Sequence, residues 1–244
     1  MAEGLEQSRL IGGLPASKLT ALSRRCAWRH FEPGEMILSL DDADDAVHFV
    51  TRGAVRAIVF AASGKQVLFS DVPTGGHFGE IAAIDGAPRS ASVIATTRAT
   101  VAAMPAPVFR EMLAAHPEVA LAVMRSLTGM IRRLSERVVE FSTLPMQKRL
   151  YAELLRLATG RVRDNRAILT PPPLHADIAA RIATHREAVT KELSRLARAG
   201  LLERRRGALE LRDVMRLAEQ LCAAEPAAPV HYQLTQAQLV AKLK

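Results

Sequence analysis

Residues 78–93 of this 244-residue chain read FGEIAAIDGAPRSASV. The order of residue types predicts the end of a strand, a short helix from Glu80, a turn at Asp85-Gly86 and a second strand from Ser92. The stretch therefore predicts two strands that are joined by a helix and a loop.

The residue types in this stretch suit a ligand that carries both a phosphate and a hydroxyl group. Gly79 lets the backbone approach a ligand, and a helix that begins at Glu80 would direct free N–H groups at a negative charge. Arg89 can form two parallel hydrogen bonds with a phosphate, and Ser90 can donate one more. Because Glu80 would repel a bare anion but can accept a hydrogen bond from a hydroxyl group, the stretch predicts a sugar-phosphate site.

The same residues resemble a known family. They match the phosphate-binding cassette of cyclic-nucleotide-binding domains, F-G-E-[IL]-x(7)-R-[ST]-A, and the whole chain resembles the bacterial cyclic-AMP receptor protein / fumarate–nitrate regulator (CRP/FNR) superfamily. The resemblance implies that Glu80 holds the ribose hydroxyl, that Arg89 holds the cyclic phosphate, and that the effector is cyclic AMP in preference to cyclic GMP. The remaining pocket residues that it implies are Gly79, Ile81, Ser90 and Ala91. A cassette that is kept as scaffold and binds no nucleotide is the alternative.

The composition predicts a chain of about two domains without a membrane segment. Its two cysteines, Cys26 and Cys222, form neither a disulfide framework nor a metal-binding pattern, and there is no signal peptide or apolar run of about 18 residues. We therefore expect a cytoplasmic protein that has no membrane partner and needs no metal.

The formal net charge of +8 is unevenly distributed. Residues 146–224 carry 16 basic and 9 acidic side chains, a net charge of +7, whereas residues 1–145 are neutral overall. This asymmetry predicts a polyanionic partner for the C-terminal block alone.

Residues 28–104 contain short apolar runs that are separated by turn residues every 8 to 12 positions, which predicts a β-roll or barrel. Turns are expected at Pro33-Gly34, Arg52-Gly53 and Ser63-Gly64-Lys65. The four aspartates of residues 41–45 lack the spacing of a calcium-binding loop and predict a solvated turn.

Residues 107–144 predict two helices, of which the second is long, begins at Pro117 and ends at Leu144-Pro145. Apolar residues at a seven-residue repeat predict a seam for a partner helix: Ala120, Leu127, Leu134 and Phe141, with Val123, Met130 and Leu144 at the matching positions, where Arg137 is an exception. A second stripe, which could lie on the barrel, consists of Met124, Ile131 and Val138. A buried core helix without a partner is the alternative.

The resemblance implies that residues 117–144 join two copies of the chain into a homodimer. It also implies that a polar residue on this helix reaches the purine, and counting back from Pro145 places that contact near Leu134-Ser135. Ser135 is therefore a candidate ligand residue. The ligand would then change how the C-terminal domains sit about a hinge at Leu144-Pro145.

Residues 175–200 read HADIAARIATHREAVTKELSRLARAG and predict two short helices with a break near Thr184-His185 and an end at Gly200. This spacing is typical of a helix-turn-helix, whose second helix presents side chains to base edges. The resemblance implies a recognition helix, although Lys191 stands where the family often has arginine. The predicted DNA-contacting residues are Arg186, Glu187, Thr190 and Lys191, with His185 on a phosphate.

Residues 201–212, LLERRRGALELR, predict a two-stranded wing with a turn at Gly207. Three arginines before the turn are placed for phosphate contacts: Arg204, Arg205 and Arg206. Asp213 is predicted to cap a last helix, and residues 225–244 are predicted to form a mobile tail with a short helix near Gln236–Leu243.

Together these features predict an α+β protein. Residues 1–116 would form a cyclic-nucleotide-binding β-roll of jelly-roll type, residues 117–144 a dimerisation helix, residues 145–224 a winged helix-turn-helix and residues 225–244 a tail. The predicted function is a homodimeric transcription regulator that binds a near-palindromic operator in double-stranded DNA under the control of a cyclic nucleotide. RNA polymerase is a further candidate partner.

Two other interpretations are weaker. An iron–sulfur sensor needs about four cysteines, and two distant ones exclude it. A haem sensor fits the superfamily and the position of His77 beside the cassette, but it leaves Glu80 and Arg89 without a role. The seven histidines show no metal-ligand spacing, and neither a P-loop nor a nucleophile elbow occurs, so we do not expect an enzyme.

Overall fold

The computed structural model describes residues 4–60 and 66–222. The chain divides into two compact units, residues 1–129 and 130–244, and one 27-residue helix runs through the boundary. The predicted turn at residues 63–65 and the predicted tail at residues 225–244 lie outside the described residues.

The first unit contains a β-roll, which confirms the predicted architecture. Its strands are β1 Ala27–Phe31, β2 Met36–Leu38, β3 Val47–Arg52, β4 Ala54–Phe60, β5 Gln66–Pro73, β6 His77–Phe78, β7 Ser92–Ala95 and β8 Ala99–Met104. They form two antiparallel four-stranded sheets, with strand orders β1-β8-β3-β6 and β2-β7-β4-β5. Pairing between distant segments, such as β3 with β8, closes the roll.

Helices cover one side of the roll. They are a 3₁₀-helix at Leu5–Gln7, α1 Ala16–Ser23, α2 Glu80–Asp85, α3 Ala106–Ala115 and the start of α4 Pro117–Thr143. Successive residues of β3 serve two cores because side chains alternate along a strand. Phe49 packs with α1, α3 and α4, whereas Val50 packs in the cluster between the sheets.

The side of α4 that faces the roll differs from the predicted one. Val119 and Val123 are buried in the core of the first unit, whereas Met124 is 55 % exposed. The prediction that the Met124 stripe lies on the barrel is wrong for Met124, because one residue rotates the helix surface by about 100° and Val123 takes that place.

The second unit is a winged helix-turn-helix that is built around one core. Its helices, after the end of α4, are α5 Met146–Ala158, α6 His175–Arg181, α7 Arg186–Arg198 and α8 Val214–Cys222. Its strands are β9 Val162–Arg163, β10 Arg166–Leu169, β11 Leu202–Arg205 and β12 Ala208–Leu211, in the order β11-β12-β10-β9. The two-stranded wing is therefore half of a four-stranded sheet.

The β9–β10 hairpin was not predicted from the sequence. Its turn places Asp164 and Asn165 in the left-handed region, with φ of 48° and 61°, as a two-residue hairpin requires. Asn165 also donates to Asp213, whose carboxylate accepts the Arg216 N–H at 2.9 Å. This contact confirms that Asp213 caps α8.

The junction at Leu144-Pro145, which was predicted as a hinge, lies inside the second unit. Leu144 is buried in the core of this unit. Arg156 of α5 pairs with Glu140 of α4 and with the buried carboxylate of Glu153. A movement about this junction would have to break these contacts.

Candidate functional site

The cassette has the predicted order of a strand end, a helix, a turn and a strand. Gly79 precedes α2 with a φ of +86°, and Gly86 follows it with a φ of +69°. A Cβ atom at position 79 would lie 2.7 Å from Arg89 Nη1 and 2.8 Å from the Ala46 carbonyl oxygen. Glycine is therefore required here both for the backbone conformation and to leave room for Arg89.

Arg89 is the central charged residue of the cassette. Its side chain is buried, with the residue 4 % exposed. Nη1 donates to the Gly79 carbonyl at 3.0 Å and Nη2 donates to the Ala46 carbonyl at 2.9 Å. In the part of the chain that the structure describes, the buried Nε atom has no hydrogen-bond partner. A guanidinium group with a fixed plane and an Nε–H that has no partner among the described residues suits a phosphate oxygen.

The loop of residues 41–45, which was predicted as a solvated turn, also contacts Arg89 through Asp44. One carboxylate oxygen of Asp44 lies 3.7 Å from Arg89 Nη2, and the other accepts the Ala46 N–H at 2.9 Å. Burial lowers the pKa of Arg89, and the carboxylates of Asp44, Asp45, Asp42 and Glu80 offset part of that effect. The site thus already holds a protein carboxylate beside its cationic group.

Two neutral histidines complete the surroundings of the cassette. His48 stacks on Phe78 with ring centroids 4.8 Å apart, and burial lowers its pKa to about 4. Burial also lowers the pKa of His77. The sequence analysis did not identify His48 as part of this site. The sequence shows only a histidine in the middle of an apolar strand, and the pairing of that strand with Phe78 is seen in the structure.

The other predicted ligand residues lie in different settings. Glu80 is buried at the start of α2, Ile81 and Ala91 are half-buried, and Ser90 is exposed. Ser135 is exposed on the part of α4 that belongs to the second unit. The ligand contacts of all these residues stay predictions.

The helix-turn-helix is formed by α6 and α7. The turn between them places Ala183 in the left-handed region, with a φ of 52°, and the Thr184 N–H donates to the Ala179 carbonyl at 3.0 Å. Helix α7 buries Val189, Leu193 and Leu196 and is followed by Gly200 with a φ of 75°. The predicted boundaries and core face of this motif are confirmed.

The predicted DNA-contacting residues at the start of α7, including His185 directly before it, are all exposed. They are His185, Arg186, Glu187, Thr190 and Lys191. In the wing, Arg204 contacts His175, and Arg205 lies 2.6 Å from the buried carboxylate of Glu210. Arg206 is exposed at the turn. Arg205 would have to share its guanidinium with Glu210 to contact a phosphate, and the DNA contacts of these residues stay predictions.

The described residues were also searched for metal-binding groups and for membrane-spanning helices. Across residues 4–60 and 66–222, no group of three or more His, Cys, Asp and Glu side chains could hold a metal ion. In the same ranges, no helix combines the length and apolar character that crossing a membrane requires.

Comparisons with known proteins match a region of each unit to a known family. Residues 28–116 match the family described as "Cyclic nucleotide-binding domain" and residues 148–220 match "Crp-like helix-turn-helix domain". A "CRP-like cAMP-activated global transcriptional regulator" of Mycobacterium tuberculosis is 23% identical over 222 residues, which are 90% of this chain and 99% of the relative. The "Cyclic AMP receptor protein" of Thermus thermophilus is 27% identical over 222 residues, covering 88% and 97% of the two chains.

A solved structure has the same fold. The CooA mutant from Carboxydothermus hydrogenoformans superimposes with a TM-score of 0.74 at 19% identity, over 88% of this chain and 99% of that chain. The two matched families cover most of the chain in the order that the two units show, and both full-length relatives are transcription regulators or receptors of this type. The chain therefore belongs to the CRP/FNR superfamily of DNA-binding transcription regulators, which are not enzymes.

Proposed function

We propose that this protein is a homodimeric transcription regulator controlled by a cyclic nucleotide, with cyclic AMP favoured over cyclic GMP. The observation that carries the proposal is Arg89. Its guanidinium is buried in the cassette, held by two backbone carbonyls, and has an unpaired Nε–H. A cyclic phosphate supplies the acceptor, and Glu80, at the start of α2, supplies an acceptor for a ribose hydroxyl.

The preference for cyclic AMP is supported by the relatives. The names of the Mycobacterium tuberculosis and Thermus thermophilus proteins both refer to cyclic AMP, and each aligns with this chain over nearly its whole length. In the proposal Gly79, Ile81, Ser90 and Ala91 line the phosphate side of the pocket, and Ser135 contacts the purine.

The proposed dimer forms through α4. An apolar stripe with alternating spacings of three and four residues is left partly or largely exposed: Met124, Leu127, Ile131, Leu134, Val138 and Phe141. Ile131 and Val138 are 63 % and 64 % exposed. In heptad terms the β-branched Ile131 and Val138 occupy a positions, with Leu127 and Leu134 at d, a combination that favours two-stranded coiled coils.

A dimer would present two copies of α7 to successive major grooves, about 34 Å apart, on a near-palindromic operator. We propose base contacts for Arg186, Glu187, Thr190 and Lys191, and phosphate contacts for His185, Arg205 and Arg206. RNA polymerase would be the partner through which a regulator bound at a promoter acts.

Calorimetric titration of cyclic AMP and cyclic GMP tests the effector. Arg89→Ala should weaken the binding of either nucleotide by about 100-fold or more, because it removes charge-assisted hydrogen bonds from a buried site. Arg98→Ala is the matched control, since Arg98 forms an exposed pair with Glu32 at 3.0 Å. Equal affinities in wild type and Arg89→Ala would refute the assignment of the pocket.

A second candidate function keeps the DNA binding and changes the effector. The proximity of Asp44 to Arg89, at 3.7 Å, favours it, because the carboxylate already neutralises part of the charge that a nucleotide phosphate needs. If the wild-type protein binds neither cyclic nucleotide and still binds operator DNA, the cassette is degenerate and the regulator is either constitutive or responds to another effector.

A further inference from the structure

We propose that His175 is a positioning residue that connects the wing to the recognition helix and thereby sets how well α7 distinguishes its operator from other DNA. The inference rests on DNA binding through α7 and goes beyond it, because His175 is not among the predicted DNA contacts.

The residue lies in a groove beside the predicted DNA-reading face. A cavity of about 670 Å³ is bounded by the proline-rich loop before α6, by the first turns of α6 and α7, and by the wing. His175, Arg186, Thr190 and Arg204 all line it. Three separate segments of the fold therefore meet at the imidazole of His175.

The hydrogen bonds at His175 fix the form of its ring. Arg204 is a donor only, so Nε2 of His175 must accept, as the contact between the two side chains requires. Nδ1 then carries the proton and donates to Thr190 Oγ1 at 2.7 Å. The Thr190 hydroxyl donates onward to the Arg186 carbonyl at 3.0 Å. One directed chain thus runs from the wing through α6 to the first turn of α7.

The charges around the ring stabilise its neutral form. Burial lowers the pKa of His175 from the usual value, and the facing Arg204 of β11 and Arg186 of α7 lower it further. Arg205 lines the same groove, where Glu210 pairs with it, and Asp177 lies two residues further along α6. A protonated ring would lose its acceptor for Arg204 and place a third cation among two arginines.

The consequence concerns specificity more than affinity. With a neutral His175, Thr190 and the first turn of α7 are held against the wing, so the side chains on that turn approach base edges from one position. When the chain of hydrogen bonds is broken, the arginines remain available to phosphates, which bind any sequence. The ratio of operator affinity to random-DNA affinity should fall, while binding to random DNA is retained.

The experiment selects an operator from a random duplex pool with the wild-type protein in the presence of cyclic AMP. Its affinity is then compared with that of a scrambled duplex at fixed salt. At pH 7.5, His175→Phe should lower the specificity ratio by roughly tenfold, the size of one or two lost hydrogen bonds. His30→Phe is the matched control, because it removes another histidine–threonine contact, His30 to Thr100 at 3.0 Å, from the first unit.

A pH series on the wild-type protein separates this role from a purely structural one. As the pH is lowered from 7.5 to well below the ordinary histidine pKa, the wild-type ratio should fall towards that of His175→Phe, whose own ratio stays nearly constant. Nitrogen NMR of the wild-type protein at pH 7.5 should show a neutral His175 ring protonated on Nδ1. This measurement needs no variant, so it tests the inference even if His175→Phe unfolds.

The possible outcomes distinguish a failure of operator binding from a failure of the positioning role of His175. If the wild-type protein selects no sequence, operator binding fails and the inference fails with it. If it selects an operator that His175→Phe distinguishes equally well, or if the ring is protonated on Nε2 alone, the operator function stands and the positioning role is refuted.

Discussion

At the scale of single residues, the proposed ligand site depends on the pair formed by Arg89 and Asp44. Two backbone carbonyls fix the guanidinium plane, and the Asp44 carboxylate lies 3.7 Å from one of its nitrogens. An incoming phosphate gains the unpaired Nε–H but competes with Asp44 for the positive charge. The affinity of the site for a phosphate therefore depends on how much more strongly Arg89 interacts with the phosphate than with the Asp44 carboxylate.

Asp44→Asn should tighten cyclic-nucleotide binding. The change removes the competing charge while its amide oxygen can still accept the Ala46 N–H. We expect about a threefold to fivefold lower dissociation constant in calorimetry, a modest gain because Asp44 is half-exposed and its charge is screened by water. Asp41→Asn, in the same loop, is the control. Weaker binding by Asp44→Asn would mean that the carboxylate supports the site instead of competing with the ligand.

Whether these residues could be predicted from the sequence depends on how far apart in the sequence their contact partners lie. Gly79, Glu80 and Arg89 lie within eleven positions of one another, so a local motif was sufficient to predict them. Asp44 meets Arg89 across 45 positions, and His48 meets Phe78 across a strand pair. Such contacts depend on how distant segments pack, which local spacing does not encode.

At the scale of elements, α4 shows how one periodicity can support two interpretations. The sequence predicted Leu127, Leu134 and Phe141 as part of a seam, and all three belong to the partly or largely exposed stripe. Their predicted companions Val123 and Leu144 are instead buried in the cores of the first and second unit respectively. Repeats of 3.5 and 3.6 residues diverge by only about 20° per heptad, so over a few turns the packing of each unit selects the face.

The exposed stripe predicts the effect of Ile131→Glu. A charge at the centre of the proposed seam would be buried in both copies, so sedimentation should show at least a 100-fold weaker dimer. The fold of the single chain should be retained, because Ile131 is 63 % exposed. Arg133→Glu places the same charge at another exposed position of α4 and serves as control. A dimer of unchanged strength in Ile131→Glu would exclude α4 as the interface.

At the scale of the whole molecule, the separation of charge matches the division into two units. Residues 146–224, with a net charge of +7, lie in the second unit, which carries the helix-turn-helix. The net charge of residues 146–224 could be predicted from the sequence because each charged side chain contributes to it whatever the fold is. Individual phosphate contacts were harder to predict, since Arg205 is occupied by Glu210 and Arg204 by His175.

Binding to random duplex DNA should therefore depend steeply on salt. We expect the affinity to fall by at least about 100-fold between 50 and 200 mM salt, because counterions are released from each phosphate that is contacted. Arg206→Gln should reduce the slope of log affinity against log salt by about 0.9 for each copy of the chain. Arg98→Gln, in the first unit, should leave the slope unchanged. A slope that Arg206→Gln does not alter would remove that arginine from the interface.

The acceptors that the protein itself provides for Arg89 have an evolutionary consequence. In many ligand sites, losing the ligand leaves a buried charge unsatisfied, and the protein loses stability with it. Here two of the three guanidinium nitrogens have backbone acceptors and a carboxylate stands close by. These contacts do not depend on a ligand, so a lineage with this arrangement would keep them if the ligand proposed for this site were changed or lost. Selection on signal response and selection on stability are thereby uncoupled at this position.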